Sequence, residues 1–213
     1  MTLTQSSGNR RGRPPRSSQQ TDDIRLRVIS AARTLFVQEG YAGVSMRKIA
    51  QCAGCSPAAL YTLFPAKRQL LLHLWGELFE QLLVRMADCR RDTGAKDRLP
   101  ALCRTFMDFW LARPNDYRAI FLIEDQPSDE NDRYFVDSAG VLARLDILRD
   151  AIVEAQASGT LAPGDPEQVL NLLLCGMQGV LLNVITIPEY PWGDTTRLVD
   201  DMVRVLLAGL RGR

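Results

Sequence analysis

Cys52 and Cys55 form a Cys-x-x-Cys pair, a spacing that can close a disulfide or offer two thiolates to a metal. No second such pair exists, so a four-thiolate zinc site would need distant partners. The other reading is packing, because a thiol is a serviceable small apolar side chain. The single histidine, His73, disfavours His-rich metal sites and His-dependent nucleophilic triads. No nucleophile–base pair, paired-carboxylate motif or glycine-rich phosphate loop stands out. The expectation is therefore a chain that is not an enzyme, with no cofactor and no metal. An odd total of five cysteines in 213 residues fits a reducing, cytoplasmic setting rather than a disulfide framework.

Charge is more telling. The chain totals only +1, yet Arg10, Arg11, Arg13 and Arg16 stand in the first twenty residues with no acid among them. Residues 21–68 add Arg25, Arg27, Arg33, Arg47, Lys48, Lys67 and Arg68 against Asp22, Asp23 and Glu39. The front third thus has a surplus of eight positive charges and the rest a surplus of seven negative ones. Such a split points the front at a polyanion. The first twenty residues are polar and basic with no apolar core of a signal sequence.

Elements that could hold these side chains are all helical. Residues 1–20 have too little apolar surface to order themselves and read as a flexible basic arm. Thr21 is a candidate N-cap, followed by Ile24, Val28, Ile29, Ala32, Leu35 and Phe36 at the spacing of one helical face, with Gly40 as the stop. A short helix opens at Ser45 and runs to about Ala53, burying Met46, Ile49 and Ala50 and leaving Arg47, Lys48 and Gln51 outside. Gly54 breaks it, and Ser56-Pro57 opens a brief third helix to about Phe64. A long helix follows Pro65 to about Arg91. Further helices are expected over about 96–113, 115–124, 130–158, 166–187 and 195–211, which makes an all-α chain of about nine helices. Two short helices across a glycine turn, the first kept small at Ala50, are what a helix-turn-helix needs. An ordinary packed helix pair has the same spacing.

The run I-S-A-A-R-T-L-F-V-Q-E-G-Y-A-G-V-S-M-R-K-I-A-Q-C-A-G-C-S-P-A-A-L-Y-T-L-F-P-A-K-R-Q-L-L, within residues 21–72, resembles the DNA-binding domain of the TetR family of transcriptional regulators. Its landmarks are Phe36 and Gly40, Ser45, Ile49-Ala50, Leu60-Tyr61, Phe64-Pro65 and Lys67. A smaller echo of one class of the family's C-terminal domains lies in Pro114, Tyr117, Arg118 and Phe121. The resemblance implies a basic arm over 1–20, a three-helix DNA-binding domain over 21–68, and an effector-binding and dimerisation domain over 69–213. It implies a homodimeric, ligand-responsive regulator, expected to be a repressor released from a palindromic operator by a small apolar or aromatic effector.

On that resemblance, Arg47 sits where a base- or phosphate-reading side chain is common, and a guanidinium can grip guanine O6 and N7 together. Ser45 offers a hydroxyl and helix N-terminal amides to a phosphate. Ser56, Pro57 and Ala58 would face the groove floor, Thr62 backbone or base, and Tyr61 and Lys67 match the family's phosphate-binding tyrosine and lysine. Leu63 departs from the pattern, which favours an aromatic or histidine there. Arg11-Gly12-Arg13-Pro14 resembles an AT-hook, whose arginines lie in narrow A·T-rich minor grooves; a merely non-specific basic tail is the alternative. Phe106, Phe109, Trp110, Phe121 and Met177 are candidates for an effector pocket, although aromatic density of this kind also makes plain core.

Val169 to Ile187 contains no charge and is long enough for a membrane span. Asn171, Gln178 and Asn183 interrupt it, and an amphipathic helix with Leu198, Met202, Val203, Leu206 and Leu210 follows. The TetR resemblance implies a dimer in which these last two helices meet their symmetry mates in a four-helix bundle, with Gly176 and Gly179 allowing close approach. No membrane partner is expected. Two rival functions remain on the residues alone: a redox-sensing DNA-binding regulator acting through Cys52 and Cys55, and an α-helical small-molecule-binding enzyme.

Overall fold

The computed structural model describes residues 18–123 and 146–211. Among them are nine helices and no strand: α1 (Ser18–Gly43), α2 (Met46–Cys52), α3 (Pro57–Leu63), α4 (Lys67–Asp92), α5 (Ala95–Leu111), α6 (Pro114–Phe121), α7 (Asp146–Ala157), α8 (Pro166–Thr186) and α9 (Thr195–Gly209). Arg11 and Arg13, and the part of the expected helix 130–158 that precedes Asp146, lie outside the described residues.

Local chemistry accounts for the boundaries. Gly40 takes φ 71°, a left-handed angle that breaks the run of α1 where the glycine was expected to. The Ser45 hydroxyl accepts the Lys48 N–H at 3.2 Å and opens α2; the Ser56 hydroxyl accepts the Ala59 N–H at 3.2 Å and opens α3, with Pro57 in its first turn. Gly54, at φ 63°, makes the turn between them. Asp165 and Asp194 cap α8 and α9 in the same manner. One boundary differs from expectation. The first helix begins at Ser18, so Thr21 lies inside it, because Ser18, Gln19 and Gln20 carry no signal that forbids a helix and continue its first turn.

Two bodies of packing share α4. In the front one, α1 lies on α2, α4 and α6, and α2 crosses α3 at Ala50, which is wholly buried with Ile49 and Leu60. In the rear one, α5 is central and touches α4, α6, α7, α8 and α9. Ion pairs fasten its edge: Arg90 reaches Asp150 at 3.2 Å and Glu154 at 2.7 Å, and Arg98 also binds Glu154, tying α4 and α5 to α7.

Gly176 admits a neighbour from its own chain. A Cβ placed there would lie 2.7 Å from Leu206 Cδ1 and 2.8 Å from Cδ2, so this glycine lets α8 close on α9 within one chain. Gly179, one turn on, faces open space. Spacing cannot say which neighbour a small residue admits, and the tertiary packing decides it. Substituting Gly176→Val is expected to push α8 off α9 and cost about 1–3 kcal/mol, the usual range for overpacking. A thermal melt reads this as a lower midpoint, whereas Gly179→Val should leave the isolated protomer's packing intact.

Candidate nucleic-acid interface

The helix-turn-helix presents its polar side chains outward. Arg47, Lys48 and Gln51 are exposed on α2, and Ser56, Pro57, Ala58, Tyr61 and Thr62 are exposed on α3, while Met46, Ile49, Ala50 and Leu60 face inward. Helical period produces this division: 46, 49 and 50 fall on one side and 47, 48 and 51 on the other. Arg47 makes no ion pair among the described residues, so its five donors are open to a ligand. Lys48 differs, since its ammonium binds Glu39 at 2.5 Å. The Thr62 hydroxyl donates to the Ala58 carbonyl at 2.8 Å, which leaves its oxygen outward as an acceptor.

Lys67 stands apart from the other sites expected on resemblance. Its ammonium donates to the carbonyls of Tyr41 at 2.7 Å and Val44 at 3.0 Å and lies 4.1 Å from the Tyr41 ring centre. Partial burial moves its pKa below the ordinary lysine value. The first turn of α4 is thereby locked to the chain joining α1 and α2.

Arg27 is a neighbour that sequence reasoning missed. It is exposed, and a Cβ on Gly54 would lie 3.6 Å from one of its guanidinium nitrogens. With Gln20, Asp23, Gly54, Cys55 and Ser56 it lines an open cleft of about 580 Å³ at the start of α3. Only the front-end charge surplus hinted at it, because the two residues are distant along the chain. Cys52 and Cys55 flank the same turn as free thiols; Cys55 is half-buried against the core, and Cys52 is exposed.

Behind the interface, the aromatic candidates gather around one ring. Trp110 is wholly buried, with Phe109 at 4.9 Å, Phe121 at 5.2 Å, Phe79 at 5.8 Å, Tyr117 at 6.1 Å and Phe106 at 6.4 Å between ring centres. Phe106, Phe109 and Met177 are buried too, while Phe121 reaches the surface with 36% exposure. The Tyr117 hydroxyl donates to Gln178 Oε1 at 2.7 Å, joining α6 to α8; burial pushes its phenol up to about 12, so it keeps its proton. Arg118 donates to the Ile185 carbonyl, and the Trp75 indole N–H to the Ala119 carbonyl at 3.1 Å. Helix α6 thus touches α1 in front and is pinned to α4 and α8 behind. A cleft of about 180 Å³, lined in part by Phe36, Val37, Ala119 and Leu122, opens beside the contact of α6 with α1.

The remaining surface of note is on α8 and α9. By length and composition α8 could cross a membrane, and only 33% of its apolar window is buried within the chain. Leu172, Cys175 and Leu182 lie exposed along it at near-helical spacing, and Val205 is exposed on α9.

Residues 28–74 match the family described as bacterial regulatory proteins, tetR family. The HTH-type transcriptional activator FasR of Mycolicibacterium smegmatis is 34% identical over 151 residues, 70% of this chain; the chain spans 62% of that relative's length. The fatty acid metabolism regulator protein of Bacillus subtilis is 21% identical over 189 residues, covering 88% of this chain and 96% of the relative. The crystal structure of the Bacillus subtilis regulator FadR in complex with stearoyl-CoA shares the fold with a TM-score of 0.74 at 20% identity, over 88% of this chain and all of that one. Motif, helix order and relatives agree, and the chain belongs to the tetR family of bacterial regulatory proteins.

Proposed function

We propose that this protein is a homodimeric transcription regulator that binds a palindromic operator and leaves it when an apolar acyl effector enters its rear domain. The observation that carries this reading is the exposed, doubly capped helix pair whose outward side chains, Arg47 foremost, have the chemistry of duplex recognition. In this reading α3 lies in the major groove, with Ser56, Pro57 and Ala58 near the base edges and Arg47 reading or clamping from α2. Ser45 and Tyr61 hold phosphates, and the Thr62 oxygen can accept from a base amino group. Two N–H bonds of Lys67 hold the head together, and the third can reach a phosphate. Arg27 joins them from the side of the turn.

The functional division is an arm ahead of α1, a reading head from α1 to residue 68 and an effector and dimer domain over 69–213. Residue 68 falls in the first turn of α4, so the two latter parts share a continuous helix, and movement of one tilts the other. Dimerisation supplies what one head lacks, a second copy about 34 Å away along the duplex. The exposed apolar faces of α8 and α9 are the surface proposed for it, since a charge-free stripe of this size is stable only when covered. The setting is the cytoplasm, where the operator is.

An acyl effector is favoured because the Bacillus relatives are a fatty acid metabolism regulator and a protein solved with stearoyl-CoA. The aromatic cluster around Trp110 offers apolar walls of the matching kind. Effector and DNA then weaken each other's binding by the same factor. The sign of regulation follows from where the operator lies relative to a promoter: release relieves repression at one position and removes activation at another. The test is anisotropy of a labelled operator, selected from random duplexes with the purified protein, titrated with stearoyl-CoA. Release with reciprocal weakening of stearoyl-CoA binding is expected, and tight binding indifferent to it would contradict the effector half of the proposal.

The arm has its own expected result. Deleting residues 1–16 removes Arg10, Arg11, Arg13 and Arg16 and should weaken operator binding and flatten its salt dependence. Each lost phosphate contact takes about 0.9 from the slope of log affinity against log salt. An unchanged slope would exclude a role for the arm.

A further inference from the structure

We infer that the Trp110 indole N–H is the hydrogen-bond donor that receives the carbonyl oxygen of the effector, an otherwise apolar acyl compound. The inference deepens the effector reading above and rests on it. Trp110 is wholly buried at the centre of an aromatic cluster, and its Nε1 has no hydrogen-bond partner among the described residues. The other two indoles in the chain are satisfied: Trp75 donates to the Ala119 carbonyl at 3.1 Å and Trp192 to the Ile187 carbonyl at 2.8 Å. A phenylalanine in place of Trp110 would fill much of the same space with no donor to satisfy. Buried donors are nearly always paired, because stripping one of water without return is costly. An orphan held in the middle of apolar rings is therefore a site awaiting an acceptor.

The surroundings define what the acceptor belongs to. Phe79, Phe106, Phe109 and Phe121 present hydrocarbon, and the hydroxyl of Tyr117, another ring of the cluster, is already donated to Gln178. The cations beside the cluster, Arg113 and Arg85, lie over the Phe109 ring at 4.2 Å and 5.6 Å from its centre, whereas the Trp110 N–H is a single neutral donor, the match for the neutral carbonyl of a thioester or ester. Phe121 is the half-open member, 5.2 Å from the Trp110 ring and at the end of α6. Entry past it displaces α6, the helix that lies against α1 of the reading head.

Two measurements test this on the full-length protein. Calorimetric titration compares stearoyl-CoA with its S-octadecyl thioether, which lacks only the carbonyl oxygen, on the wild type and on Trp110→Phe. The wild type should prefer the thioester by about tenfold, the worth of one hydrogen bond to a buried donor, and the preference should vanish in Trp110→Phe while thioether affinity stays. A thioester preference that survives Trp110→Phe overturns the assignment and leaves the acyl effector standing. Failure of both probes to bind the wild type overturns the acyl effector and the assignment with it. Should Trp110→Phe not fold, the wild-type indole N–H resonances decide: the Trp110 proton should move downfield with the thioester and not with the thioether. Equal response to both probes overturns the inference.

Discussion

Replacing Arg47 with alanine should reduce operator affinity by about 30-fold to more than 10,000-fold. A bidentate arginine–guanine contact is worth about 1–3 kcal/mol, and a symmetric dimer loses it twice. The residue is exposed on α2 and makes no ion pair among the described residues, so the loss falls on DNA binding rather than on folding. Lys48 next to it is the natural control. Its ammonium is engaged by Glu39, so Lys48→Ala should weaken binding only modestly and mostly through the salt-dependent component. The two variants also differ in kind. Arg47→Ala should relax preference for one base pair in each half-site, while Lys48→Ala should weaken all sequences alike. Anisotropy titrations against the operator and singly substituted operators separate these outcomes; equal small losses for both variants would remove Arg47 from base reading.

The second large effect concerns the exposed stripe of α8. Leu182→Arg, or Leu172→Arg, places a guanidinium in the surface proposed to be buried between protomers, and symmetry places it there twice. The expected result is a monomer by analytical ultracentrifugation with helix content unchanged, because both leucines already face outward in the protomer. Operator affinity should fall by at least about 100-fold, as one head forfeits the contribution of the other. Cys175, exposed on the same face, gives an independent readout: a short bismaleimide should join two wild-type chains through it, and Cys175→Ala should not be joined. A Leu182→Arg protein that remains dimeric and binds operator normally would move the interface elsewhere.

Much of the reading head was legible because its signals are local. Ser45, Ser56-Pro57, Gly40 and Gly54 act within one helical turn, and the spacing of Ile24, Val28, Ile29, Ala32, Leu35 and Phe36 marks a buried face without reference to any other element. Features that depend on who meets whom were not legible. Gly176 looked equally suited to a partner chain, and only the position of Leu206 assigns it to α9. Lys67 has the chemistry of a phosphate ligand, yet two of its donors are spent on carbonyls more than twenty residues away. Arg27 gained its place beside Gly54 through the crossing of α1 over the turn. The aromatic residues read as core or as effector lining from composition alone. The structure buries Phe106, Phe109, Trp110 and Met177 and singles out Trp110 by its unpaired N–H.

Guanine methylation interference on a selected operator, with the full-length dimer, is the most direct check on the groove-reading role of the α2–α3 unit. N7-methylation should block binding at two symmetry-related guanines in the major groove, with half-site centres about one helical turn, or a multiple of it, apart. Arg47→Ala should become indifferent to those methyl groups. Binding that ignores N7-methylation everywhere, or that shows a single unrepeated contact patch, would contradict a paired major-groove reader.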